Sequence, residues 1–140
     1  MTKPVNGFTA ALCAIAAFAC ATPSLADQSL DEVIPNFEET IPNLPGKSLI
    51  AVEVVYPPGS ASLPHVHAKS AYIYAYVVAG SIESKVNDGK PRIYNTGQSW
   101  SEPPGASHSI SRNASKTEPA KLLAVFVVDT EDKELTTPTK

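Results

Sequence analysis

The feature that most constrains this chain is how regularly its apolar runs are cut. Between residues 48 and 128 none exceeds nine residues before a Gly, Pro or Asn turn, or a charged residue, interrupts it. The runs at 48–56, 72–78 and 122–128 are rich in Val, Ile, Leu, Tyr and Phe, the residues that fill a pleated, half-buried surface. Residues 81–86 alternate Ile82, Ser84 and Val86 with Ser81, Glu83 and Lys85. Short segments follow at 91–94, 98–102 and 108–111, set off by Asn87-Asp88-Gly89, Asn95-Thr96-Gly97 and Pro103-Pro104-Gly105. Asn-Asp-Gly supplies residues that tolerate the positive φ of a tight hairpin. No stretch of this region carries a 3.6-residue apolar stripe of helix length. Many short strands at regular spacing predict an all-β sandwich or barrel.

The ends of the chain read differently. Residues 1–26 have the form of a secretory signal: Lys3 is the positive start, 8–21 is small and apolar, and Ser24-Leu25-Ala26 precedes Asp27. The apolar run of 14 residues falls short of the roughly 20 that span a bilayer. Cleavage and export to a bacterial periplasm or the medium are therefore expected. Loss of Lys3 leaves 10 basic against 14 acidic groups, a net charge of −4. That balance offers no footprint for nucleic acid or an anionic membrane. Cys13 and Cys20, the only cysteines, leave with the signal, so any metal must be held by nitrogen and oxygen. The remaining 114 residues suit one domain. Residues 27–47, broken by Pro35, Pro42 and Pro45, read as an extension forming a loop or short helix. Residues 129–140, charged and then Thr/Pro-rich, read as a flexible tail.

Chemistry concentrates at Pro64-His65-Val66-His67. Histidines at i and i+2 on a strand share one face. The single remaining histidine, His108, follows a second Gly/Pro turn. Three imidazoles from two strands are the raw material of a metal site.

These residues fit a family pattern. Gly59, five residues, then His65 and His67, with Gly80 closing the segment, match the first motif of the cupins. Gly97, five residues, Pro103-Pro104-Gly105, two residues, His108 and then Asn113 match the second, with Asn113 one residue late. The chain thus resembles the single-domain cupins over residues 48–128. The resemblance implies a jelly-roll β-barrel, a homodimer and a divalent transition metal (Zn, Fe, Ni, Cu or Mn) on His65, His67 and His108. It also implies a small organic ligand at open metal positions, with dioxygenase-like oxidation as the leading reaction. The non-catalytic alternative is a barrel that only binds a metal or a small molecule.

One departure stands out. The first motif asks for a glutamate after the histidine pair, and this chain has none there. Counting from His67 puts Tyr72 in the slot, while counting back from Gly80 puts Ile73 there. Neither replaces a carboxylate, which leaves three neutral imidazoles, with water or ligand completing the shell. Glu102, just before the Pro-Pro-Gly turn, is the catalytic candidate. It can stand in for the missing ligand, accept a histidine N–H, or act as a general base; its bland reading is a solvated edge carboxylate. Tyr72 and Tyr74 are candidates to line the ligand space. Trp100 and Phe126 read as core aromatics.

Overall fold

The computed structural model describes residues 31–139, so the expected signal at 1–26 lies outside the described residues. Every regular element among them is a strand: β1 (Glu32–Thr40), β2 (Lys47–Tyr56), β3 (His65–His67), β4 (Tyr72–Ala79), β5 (Ser81–Val86), β6 (Arg92–Asn95), β7 (Ser99–Glu102), β8 (Ser107–Asn113), β9 (Ala120–Asp129) and β10 (Thr136–Pro138). They form two five-stranded sheets, ordered β1-β2-β9-β4-β7 and β10-β3-β8-β5-β6. All pairings are antiparallel. The expected all-β architecture is the observed one.

Alternation builds the core. On β9, Ala120, Leu122, Ala124, Phe126 and Val128 are buried while the residues between them are half-buried. The β2–β9 register sets Val54 opposite Leu122 and Ile50 opposite Phe126, so one face of each strand turns inward. On β4 the inward set is Ile73, Ala75 and Val77, all nearly inaccessible. Tyr72 and Tyr74 take the opposite face and are 50% and 45% exposed. The candidate lining role for these two tyrosines is therefore corrected, because period-two alternation turns them away from the interior once Ile73 points in.

Both chain ends depart from expectation. Residues 31–47, the described part of the expected extension, hold neither a helix nor only a loop; β1 pairs along nearly the whole of β2. Its alternation is hidden because the register shifts between Pro35 and Phe37, and because the strand lies exposed at a sheet edge, where Pro and Glu are tolerated. The tail is tied down too. Thr136 to Pro138 pair with β3, the Ala68 N–H donates to the Leu135 carbonyl at 3.1 Å, and the Thr139 N–H donates to Pro64 at 2.9 Å. Leu135 packs against the cluster around Phe126. A three-residue strand has no period to read, so only its partner reveals it.

Gly80 carries the chain from one sheet into the other between β4 and β5. Its φ is +71°, and a Cβ there would lie 2.6 Å from the Pro119 carbonyl oxygen and 2.9 Å from Ala120 Cα. Both the dihedral and the backbone contact exclude a side chain. Gly80→Ala is expected to cost about 2 kcal/mol or more, read as a lowered midpoint in urea with an unchanged slope. An unaltered midpoint would show that the crossing tolerates a side chain.

Candidate metal centre

β3 and β8 lie side by side with His65 directly opposite His108, and His67 follows two residues along the same face. One nitrogen from each of the three rings falls within 4.8 Å of the others. Ring centroids are 4.7 Å apart for His65–His67, 5.2 Å for His65–His108 and 5.8 Å for His67–His108. The three sequence-predicted imidazoles thus converge. A register shift on β8 between His108 and Ile110 gives that strand one extra residue. This lets both His108 and Ser111 face inward despite their odd spacing.

Glu102 completes the cluster. It is 2% exposed and sits directly across from Ile73 in the β4–β7 pair. Ile73 therefore holds the inward slot where the family pattern has glutamate, and the carboxylate comes from the neighbouring strand instead. Cross-strand partners share a face, so the substitution of source keeps the carboxylate inside. Oε2 of Glu102 lies 2.9 Å from His67 Nε2, and Oε1 lies 3.5 Å from His108 Nδ1. The solvated-edge reading of Glu102 is thereby excluded.

Residues around the cluster fix its orientation. The His65 Nδ1 position is 2.7 Å from the Leu63 carbonyl, to which it can only donate, leaving Nε2 with its lone pair. His108 Nε2 meets Ser84 Oγ at 2.9 Å, leaving Nδ1 toward Glu102. The Trp100 indole N–H donates to Glu102 Oε1 at 3.0 Å. Trp100 was missed as a positioning residue because a tryptophan on a short strand reads as core. Its ring does pack, on Tyr94 at 4.5 Å, but its N–H serves the site. Asn113, the last residue of the second motif, is structural: its amide donates to the Tyr56, Pro57 and Glu118 carbonyls.

The electrostatics favour a cation. Burial pushes the His108 imidazole down to about 4, against the upward pull of Glu102. Burial likewise lowers His65. Burial alone would raise Glu102, but its contact with His67 and the charge that His108 and His67 can carry outweigh it and hold the carboxyl below its usual value. Near neutrality the pocket therefore presents imidazole lone pairs beside an anionic carboxylate. Among the described residues, no Lys or Arg lines the cavity to balance that charge. His67 Nδ1, His67 Nε2 and Glu102 Oε2 are buried without a hydrogen-bond partner, even though the last two are 2.9 Å apart. The three imidazole nitrogens, with the Glu102 carboxylate beside two of the rings, fit a divalent transition ion.

The centre opens on a cavity of about 290 Å³ with apolar walls that include Val52, Val54, Ile73, Ala75, Leu122 and Phe126. Thr136 and Pro138 of β10 also line it.

Comparison with known proteins agrees with this geometry. The family model for the cupin domain (Cupin_2) matches residues 52–126. No curated protein matches the sequence. Among solved structures, TT1209 from Thermus thermophilus is 26% identical, with a TM-score of 0.56 over 70% of this chain and 83% of that one. An RmlC-like cupin with a double-stranded β-helix fold from Methanocaldococcus jannaschii is 15% identical, with a TM-score of 0.57 over 74% and 85%. The DMSP lyase DddQ from Ruegeria pomeroyi DSS-3 is 25% identical, with a TM-score of 0.54 over 65% of this chain and 43% of that one.

The lowered imidazoles make the metal-free protein acid-sensitive. His108 titrates near 6.5 when unfolded and near 4 when folded, so between those values the unfolded chain binds the extra proton. Its contribution is complete above about pH 6.5 and is lost as pH falls toward 4, on the order of 3 kcal/mol in all. His65 acts in the same sense, and Glu102 adds to the loss only below its usual value of 4.5. Urea denaturation of metal-free protein at pH 7.5 and 5.0 should show the fall, and His108→Asn should shrink it. Equal stability at the two pH values would contradict the burial argument.

Proposed function

The chain belongs to the cupin family, and from that premise we propose that it is an exported, metal-dependent cupin acting on a small organic molecule. His65, His67, His108 and Glu102 hold a divalent transition ion (Zn, Fe, Ni, Cu or Mn), and dioxygenase-type oxidation is the leading reaction. The observation that carries this reading is that one nitrogen from each of three imidazoles lies within 4.8 Å of the others, beside the buried Glu102 carboxylate. A bound ion supplies Lewis acidity and open coordination positions for an oxygen-bearing ligand.

Everything else is done by the chain's own residues. The Leu63 carbonyl and Ser84 hold the rings of His65 and His108 so that one nitrogen of each stays free. Trp100 steadies Glu102. With Glu102 as a ligand, a divalent ion keeps one net positive charge rather than the two that three imidazoles alone would leave. The apolar walls screen charges less than bulk water does, which strengthens each polar contact inside. That a neighbour 25% identical is a DMSP lyase is in keeping with a small organic ligand.

A second reading is favoured by one observation. Among the described residues, Glu102 is the one carboxylate in contact with the histidines, and holding an ion occupies it. No free acid or base then remains beside the ion among the described residues, which suits a binding protein better than an enzyme. Turnover separates the two.

Protein comprising residues 27–140 should carry stoichiometric metal. His65→Ala, His67→Ala and His108→Ala should each lose it, and Glu102→Gln should weaken retention about 10- to 100-fold, the range seen when groups supporting a metal site are removed. Metal analysis and O₂ uptake with catechols, flavonols and thiols provide the readouts. Metal without uptake supports the binder. Protein that is metal-free as isolated and unchanged in thermal stability by Zn, Ni, Fe or Cu would overturn both readings. Export is tested by the mass of the protein recovered from the periplasm, which should begin at Asp27.

A further inference from the structure

A second polar cluster lines the same cavity and takes no part in the metal centre. Asp31, Ser62, Tyr56 and Ser111 all border the cavity. They are joined in series. The Ser62 hydroxyl donates to Asp31 Oδ2. The Tyr56 hydroxyl lies 2.8 Å from Ser62 Oγ and 2.8 Å from Ser111 Oγ. Tyr56 is 1% exposed and Ser111 4% exposed, so these hydroxyls are part of the interior.

Counting protons fixes the direction of the chain. A carboxylate can only accept, so the one Ser62 proton goes to Asp31. The Tyr56–Ser62 contact must then be donated by the phenol, since Ser62 has no proton left. Tyr56 has now spent its own, so Ser111 must donate to the Tyr56 oxygen. Burial raises the Tyr56 phenol to about 12, consistent with a phenol that keeps its proton and donates it. The inner end of the chain is Ser111 Oγ, with its proton committed and its lone pairs free. Ser111 follows His108 by three residues on β8, which places the two within about 10 Å along the strand.

Resting on the reading that the cavity holds a small organic ligand, we infer that the Asp31–Ser62–Tyr56–Ser111 chain is a recognition site for a hydrogen-bond donor on that ligand. The cavity then selects molecules that bear a hydroxyl, such as a phenol or small alcohol, at Ser111. Matching ethers are rejected, because at this end an acceptor meets only an acceptor. A site built to accept a hydroxyl discriminates strongly against the analogue lacking it, since its own polar atom is otherwise left unpaired.

Phenol and anisole differ by one methyl that abolishes the donor, and both are small enough for about 290 Å³. Their dissociation constants are to be measured by calorimetry or ligand-observed NMR on full-length protein, both metal-loaded and chelator-treated. Wild type should bind phenol about 5-fold or more tightly than anisole in both states. Ser111→Ala should remove the preference. Tyr56→Phe should remove it too, although Ser111 remains, because the serine proton is then free to turn into the cavity. Asp31→Asn can donate to Ser62 and reverse the whole chain, so the preference should fall to unity or invert. A purely structural role for these hydroxyls would move neither ratio. No phenol preference in wild type, or a preference untouched in all three variants, overturns the inference. Failure of metal loading with the preference intact would sink the metal reading alone.

Discussion

A buried carboxylate needs a cation, and in this protein that requirement is met at one place. Glu102 is 2% exposed, and desolvating an ionised carboxylate costs several kcal/mol even after relaxation. The Trp100 indole N–H returns part of that cost, since a hydrogen bond to a charged group contributes about 1.5–3 kcal/mol. His67 offers a nitrogen at 2.9 Å, and His108 is held neutral by burial. A metal ion held by the three imidazole nitrogens, which lie within 4.8 Å of one another, would supply the missing charge.

The barrel exists, in effect, to set registers. β3 against β8 puts His65 beside His108, and β4 against β7 puts Glu102 beside Ile73. A slip of one residue in either pair would turn the corresponding side chain to the outside. The extra residue on β8 is part of the same arrangement, since without it His108 and Ser111 could not both face the cavity. The two chain ends contribute in the same way. β10 lines the cavity with Thr136 and Pro138, and Asp31, just before β1, terminates the hydroxyl chain at Ser62. The cavity therefore has two polar ends, the histidine–Glu102 cluster and the Asp31–Ser62–Tyr56–Ser111 chain, joined by apolar walls.

The fold and the histidines were legible because their signals are local. Turn residues, β-branched runs and the spacing of His65, His67 and His108 survive in one dimension. The parts that were not legible depend on partners far along the chain. β1 was obscured by a proline and a bulge, and β10 by its three-residue length. Tyr72 and Tyr74 were plausible cavity residues only while the loop after His67 left the parity of β4 open. Burial of Ile73 closes that question and sends both phenols outward. Trp100 and Tyr56 carry no motif, and their roles come from what their polar atoms reach.

By itself the sequence determined an all-β domain with three imidazoles in cupin motif positions and no glutamate in the first motif, because periodicity and spacing are properties of neighbours in the chain. Only the tertiary structure decided that Glu102 replaces that carboxylate in space, that Trp100 steadies it, and that four hydroxyl and carboxyl groups from residues 31, 56, 62 and 111 form one directed chain. Those facts reside in pairings across strands and sheets, where residues distant in sequence acquire their distances only when the barrel closes.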